Sequence, residues 1–296
     1  MIEISVDSKV SEAGLGIAGD TLNTAIYLKR QFARQHTAHP VSYITTVGTD
    51  VFSERMLSFI GSEGIDTEFI NHSTDRIPGL YAISTDAEGE RSFTYWRENS
   101  AARQLFQFDG LICFDLLARF NVIFFSGITL AILPENVRAG FLEWLGDARR
   151  SGKISTVFDS NYRPRLWNDQ AEAQHWMNAA WEVTSLGLPS LDDEQALFGS
   201  TDERDVLERL KSCGVESGVL KRGAAGPCSL SDVNLSASSS SPVDVVDTTA
   251  AGDSFNGAFL AHRLCGATEL AAMQAGHDCA IKVIGHPGAI VPAEVV

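Results

Sequence analysis

Apolar and polar residues alternate one by one at the start of the chain, Ile2, Ile4 and Val6 against Glu3, Ser5 and Asp7. A period of two predicts a half-exposed strand. A helical stretch follows from Leu22 to Arg34, then an apolar strand-like run from Val41 to Val47. Residues 79–84 and 91–97 read as two strands, with Asp86-Ala87-Glu88-Gly89 as the turn between them. From Leu111 onward the period switches repeatedly. Val122–Phe125 and Ile154–Asp159 are apolar runs of strand length, with shorter strands predicted at 182–187 and 218–220. Between and after them lie a helix opened by Pro134 and running to about Arg150, and another from Thr268 to Ile284. Alternating strands and helices predict an α/β fold, a doubly wound, mostly parallel sheet flanked by helices. The lone hairpin predicts a small second sheet standing off that body.

One stretch combines the two periods with chemistry. Val243, Val245 and Val246 form an extended apolar run, Asp247-Thr248-Thr249-Ala250-Ala251-Gly252-Asp253 follows, and Ala258-Phe259-Leu260-Ala261 reads as helix. This predicts a strand, a tight turn and a helix starting near Gly252. The first N–H groups of a helix lack internal partners and, with the helix dipole, attract anions such as phosphate. Ala250, Ala251 and Gly252 carry almost no side chain, so an anion can approach the backbone. Asp253 sits in the first turn. A carboxylate there either serves the helix dipole or accepts the proton of a hydroxyl that attacks a phosphoryl group.

Composition narrows the function. A chain of 296 residues suits one large domain, here read as residues 1–296. Its net charge of −15 argues against nucleic acid and anionic membranes as partners. No apolar run approaches a membrane span, and Met1–Asp7 lacks the features of a secretory signal. The five scattered cysteines read as reduced thiols of a cytoplasmic protein, and no histidine spacing suggests zinc. Any anion-binding enzyme with this charge must concentrate its few cations in loops. The loop Ser160-Asn161-Tyr162-Arg163-Pro164-Arg165-Leu166-Trp167 does so, beyond the end of a predicted strand where ligands of such folds bind.

Two further glycine patterns need separate readings. Gly14-Leu15-Gly16-Ile17-Ala18-Gly19 fits G-x-G-x-x-G, the letter pattern of dinucleotide-binding turns and the basis for a rival oxidoreductase reading. The acidic residue expected about 20 residues later is missing, which counts against it. No G-x-x-x-x-G-K-[ST] occurs, so a P-loop enzyme is excluded.

The run Asp247 to Asp253 resembles the C-terminal signature Asp-Thr-x-x-Ala-Gly-Asp of the ribokinase-like (PfkB) carbohydrate kinases. Gly19-Asp20-Thr21-Leu22-Asn23-Thr24-Ala25 resembles the family's N-terminal Gly-Gly-x-x-x-Asn-x-Ala motif, with Ala18 in place of the first glycine. Val47-Gly48-Thr49-Asp50 resembles its Val-Gly-x-Asp segment, and Lys221-Arg222-Gly223-Ala224-Ala225-Gly226 its nucleotide loop. The resemblance spans nearly the whole chain. Segments such as Glu90-Arg91-Ser92-Phe93-Thr94-Tyr95-Trp96-Arg97 and Asn161–Trp167 are most similar to the branch acting on the sugar acid 2-keto-3-deoxygluconate.

That resemblance implies a ribokinase-like fold with a β lid from about 1–18 and 75–100, through which copies of the chain pair. It implies ATP and magnesium, with no zinc or flavin, and transfer of phosphate to the 6-hydroxyl of the sugar acid. Asp253 is the implied base, and the backbone of Ala250, Ala251, Gly252 and Asp253 the implied anion hole. Gly19, Asp20, Thr21, Asn23, Tyr81, Tyr95, Arg97 and Arg163 are the implied sugar-acid contacts. Asn161, Ser190, Lys221, Gly223, Gly226, Gly252 and His277 are the implied ATP contacts, and Asp193 or Glu194 the implied acidic residue linked to magnesium through water. The resemblance leaves fructokinase- or ribokinase-like activity, or a sugar-acid sensor without catalysis, as alternatives. It also implies that the first strand of the main sheet is missing, since family chains carry a strand before the segment matching Met1-Ile2-Glu3. A sheet short of a central strand is expected to be unstable.

Overall fold

The computed structural model describes residues 1–7, 13–85, 91–108, 113–215, 217–237 and 244–296. The alternating N-terminal segment forms β1 (Ile2–Asp7), and the glycine-rich segment after it forms β2 (Ala13–Ile17), antiparallel to β1. Gly14 and Gly16 therefore lie within the strand, and only Gly19 stands in the turn to the helix that follows, so the glycines do not build the turn that a dinucleotide requires. Helix α1 (Asp20–Arg34) follows, then the short β3 (Thr45–Val47). The run expected as a strand from Val41 ladders only at its end, because the Tyr43 N–H and the Val41 carbonyl are taken by Asp66. Helix α2 (Val51–Ser62) begins at Asp50, whose carboxylate accepts from the N–H groups of Phe52 (2.9 Å) and Ser53 (3.2 Å). The Gly48–Asp50 segment is thus a helix cap, a feature contributing about 1 kcal/mol.

After β4 (Ile70–His72) come β5 (Leu80–Thr85) and β6 (Arg91–Trp96), the predicted hairpin; its turn at Asp86–Gly89 lies outside the described residues. Their order, β2-β1-β5-β6, makes a four-stranded sheet apart from the main body, with β1 and β5 parallel. Period two misleads at one position here. Glu3 is buried, because the register pairs it with Tyr81, whose hydroxyl donates to the Glu3 carboxylate.

The body continues with β7 (Val122–Ser126), α3 (Gly127–Ile132), α4 (Glu135–Arg150), β8 (Ser155–Asp159), α5 (Gln170–Glu182) and β9 (Leu186–Gly187). The strand expected from Glu182 is shorter than predicted, since α5 runs through that residue. Next are α6 (Leu191–Phe198), α7 (Glu203–Ser212), β10 (Val219–Leu220), β11 (Cys228–Ser229), α8 (Ala251–Leu264) and α9 (Glu269–Ile284). Ser236–Ser241 is not simply an exposed connection: Ala237 is buried, while 238–241 lie outside the described residues. Val245 and Val246 are exposed and not in a strand; the N–H groups of Val246 and Asp247 donate to the Ile284 carbonyl at the end of α9. Val243 is outside the described residues.

Strands β7, β8 and β9 are parallel, and parallel bridges at Gly187–Gly218 and Ser190–Lys221 continue them toward β10. Phe158 and Val157 point to opposite faces of β8 and both are buried. Phe158 packs edge-on to Trp181 of α5, ring centroids 4.5 Å apart, while Val157 packs with Phe255 and Phe259 of α8. Burial on both faces is the mark of a doubly wound parallel sheet. The parallel pair β3–β4 is a separate piece. Among the described residues no ladder joins it to β7. An apolar cavity of about 450 Å³ lies between, lined by Val41, Tyr43 and Ile44 on one side and Val122 and Phe124 on the other. No helix among the described residues is long and apolar enough to cross a membrane.

Candidate active site

A cleft of about 600 Å³ lies between the small sheet and the C-terminal ends of the parallel strands. Helix α8 enters it with its N-terminus. Ala250 takes a left-handed conformation (φ 61°), and no side chain caps the helix. The Ala251 N–H closes the turn on the Thr248 carbonyl at 3.2 Å, which leaves the N–H groups of Gly252 and Asp253 uncapped at the cleft wall. A side chain on Gly252 would place its Cβ 3.6 Å from Lys221 Nζ, so the ammonium faces this turn. Lys221 donates to Asp159 Oδ1 (2.9 Å) and Asn256 Oδ1 (3.2 Å), and Asn256 Nδ2 donates to Asp159 Oδ2 (2.6 Å). A dipole, free N–H groups and an oriented cation converge on one point, an arrangement that binds phosphate.

Asp253 stands beside that point. Its Oδ2 accepts from Asn23 Nδ2 at 2.8 Å, and Asn23 Oδ1 accepts from the Gly19 N–H at 3.1 Å. One amide thus ties the turn before α1 to the first turn of α8. Burial, then the negative charge of Asp20, push the Asp253 carboxyl up to about 7; Asn23 and Lys221 oppose this. Asp20 is raised too, chiefly by burial, although Ser126 Oγ and Asn161 Nδ2 donate to it. Asp193 lines the same cleft and burial raises it to about 6, with Arg163 acting against the shift.

The lid side carries the aromatic and cationic groups. Tyr81 and Tyr95 stack with centroids 6.0 Å apart, and the Arg97 guanidinium lies 4.2 Å from the Tyr95 ring centre. Burial and the like charge of Arg163 both lower the Arg97 pKa. Arg163 donates to the Tyr162 carbonyl at 2.7 Å and lies 3.6 Å from Asp193. At the opposite end, His277 is buried, its pKa is lowered by burial, and its Nε2 has no hydrogen-bond partner.

Most residues singled out from the sequence line this cleft: Gly19, Asp20, Asn23, Tyr81, Tyr95, Arg97, Asn161, Arg163, Ser190, Asp193, Lys221, Gly223, Ala250, Ala251, Gly252, Asp253 and His277. Three do not. Thr21 turns away, its hydroxyl 3.2 Å from that of Tyr43. Gly226 lies behind the wall, with its carbonyl accepting from Arg222 Nε. Glu194 is fully buried on the other side of α6, paired with Arg209, and its carboxyl is pushed up to about 7 by burial. Sequence reasoning missed Asp159, Asn256 and Ser126. Asn256 carried a signal, since it lies one helical turn beyond Asp253 within the same motif. Asp159 and Ser126 end strands β8 and β7, where ligands of such folds bind. No group of three or more potential metal ligands occurs among the described residues.

An uncapped helix N-terminus with a partnered carboxylate beside it, in the crevice between a doubly wound sheet and a small second sheet, defines a phosphoryl-transfer enzyme acting on a hydroxylated substrate. The chain matches the pfkB family carbohydrate kinases over residues 3–295 and belongs to that family. It is 41% identical to the 2-dehydro-3-deoxygluconokinase of Escherichia coli K12, over 100% of this chain and 96% of that one. With the enzyme of the same description from Haemophilus influenzae it shares 40% identity, over 98% and 93%. Among solved structures, the 2-dehydro-3-deoxygluconokinase of Thermotoga maritima superimposes with a TM-score of 0.79 at 19% identity, covering 98% of this chain and 92% of that one. A ribokinase II of E. coli described as a complex with ATP and Mg2+ gives 0.81 at 21% identity, covering 97% and 91%.

Proposed function

We propose that this kinase transfers the γ-phosphoryl group of ATP to the 6-hydroxyl of 2-keto-3-deoxygluconate. The observation that carries the proposal is the joint presence, in one cleft, of Asp253 beside an uncapped helix N-terminus and of Arg97 and Arg163 on the lid side. A neutral sugar needs no cationic anchor, whereas a carboxylate buried in a cleft otherwise lined with acids does. The identity of 40–41% with kinases described for this substrate supports the same reading.

Asp253 takes the proton of the 6-hydroxyl as its oxygen bonds to the γ-phosphorus, and the bond from phosphorus to the β,γ-bridging oxygen breaks. The N–H groups of Gly252 and Asp253 and the ammonium of Lys221 stabilise charge on the transferring group. Arg97 and Arg163 hold the carboxylate, with Tyr81 and Tyr95 covering the carbon chain. His277, with a buried Nε2 that lacks a partner, faces the nucleobase. The acidic group Asp159 and Asp193 near Lys221 suits a magnesium ion carried on the phosphates, which supplies charge neutralisation between them. The reaction belongs to the cytoplasm, where ATP is available. The exposed Trp96 on edge strand β6 supports pairing of two copies through the lid.

Phosphorus NMR of the product tests the assignment. A phosphomonoester whose coupling pattern places it on the terminal CH2 is expected. A product phosphorylated elsewhere, or no product from the sugar acid, would overturn it.

A further inference from the structure

A second cavity, of about 360 Å³, adjoins the cleft and shares Phe93, Tyr95 and Arg97 with it. Three guanidinium groups line it, those of Arg97, Arg103 and Arg165. Among the described residues none of the three lies within 4.0 Å of a carboxylate; the nearby pairs are Arg163–Asp193, Arg76–Asp75 and Arg138–Glu172. Arg103 is the most poorly satisfied. Its Nε is buried without a partner, and Nη1 reaches only the Ile132 carbonyl, at 3.5 Å. Burial lowers its pKa, the charge of Glu98 opposes this, and the like charges of Arg76 and Arg138 add to the lowering. The carboxylate lining the cavity, Glu98, is exposed and accepts from the Arg97 backbone N–H at 3.2 Å.

A chain with net charge −15 has ample carboxylates to pair these arginines, yet three converge on one cavity. Arg97 and Arg103 are half-buried and Arg165 is exposed; guanidinium groups that share a cavity repel one another and leave strong donors unused, unless an anion completes them. We propose that this cavity is a second anion site, for a phosphate or carboxylate group of a small molecule, and that its occupation competes with the sugar acid for Arg97. The competition rests on the proposed anchoring role of Arg97; the site itself does not. It gives the enzyme a means to be restrained by small anions that accumulate with its substrate or product.

Titration calorimetry tests this directly. Inorganic phosphate, and separately acetate, are titrated into protein saturated with a non-hydrolysable ATP analogue and magnesium, so that the α8 anion hole is filled. Binding of at least one anion is expected, weakened about tenfold or more by Arg103→Gln and by Arg165→Gln, as loss of a charge-assisted hydrogen bond implies. Arg165 is exposed, so its variant folds, and unchanged binding of the ATP analogue verifies both. A response to phosphate alone assigns phosphorylated ligands, and a response to acetate assigns carboxylates. Anion binding unaffected by both substitutions, or no binding of either anion, overturns the proposal. The readout is binding, so the result stands apart from which sugar is phosphorylated.

Discussion

Asp253 concentrates the chemistry of the cleft in one carboxyl. With its pKa near 7, the proposed base is half protonated at neutral pH. We expect kcat/KM to fall tenfold per pH unit below about 7; a flat profile down to pH 5 would contradict the assignment. Asn23 favours the charged form through its 2.8 Å hydrogen bond. Asn23→Ala should therefore move the acid limb to higher pH, an effect that loss of substrate contacts alone does not produce. The same shift has a cost for stability. A carboxyl whose folded pKa exceeds its ordinary value of 3.8 holds a proton in the native state after the unfolded chain has lost it. Stability therefore falls as pH rises from about 4 to about 7, and the full penalty applies above that. Asp253→Asn removes the penalty. It should raise the melting temperature of the unliganded protein at pH 8 while cutting turnover by about 10²–10⁴-fold, the usual contribution of a general base. A lower melting temperature would argue that Asp253 serves the fold.

At the scale of elements, α8 is the organising helix, packed against both α1 and α9. A Cβ on Gly257 would meet the Thr24 carbonyl and the Leu28 N–H of α1 at 2.7 Å. Gly257→Ala should cost about 1–3 kcal/mol through overpacking, read as a lower midpoint in urea with unchanged m. Strands β3 and β7 share no ladder among the described residues, and an apolar cavity of about 450 Å³ lies between them. The Gly252–Asp253 turn was legible in the sequence because its chemistry is local: small residues and an acid at a helix start. Glu3 and Thr21 were not. Glu3 is buried by a partner strand nearly eighty positions away, and the Thr21 hydroxyl is drawn to that of Tyr43, and neither periodicity nor motif records such pairings. Val245 and Val246 mislead for the same reason, since the end of α9 takes the N–H groups of Val246 and Asp247 and both valine side chains are left in water.

For the whole molecule, the cleft is where the charge balance is settled. Asp20, Asp159, Asp193 and Asp253 line it together with Lys221, Arg97, Arg163 and Arg222, with Lys221 paired to Asp159 and Arg163 to Asp193. The sequence motifs foretold which of these residues meet, because each sits at a strand end or helix start that the doubly wound topology brings to one face. They did not foretell the network of Asp159, Asn256 and Lys221, which depends on how α8 lies across β8. The central claim is that this kinase acts on a sugar acid held by arginine. Its most direct test is a coupled ADP-release assay comparing kcat/KM for 2-keto-3-deoxygluconate, fructose and ribose. The account predicts that the sugar acid is preferred by at least about a hundredfold, the worth of one or two charge-assisted hydrogen bonds. A higher kcat/KM for either neutral sugar would contradict it.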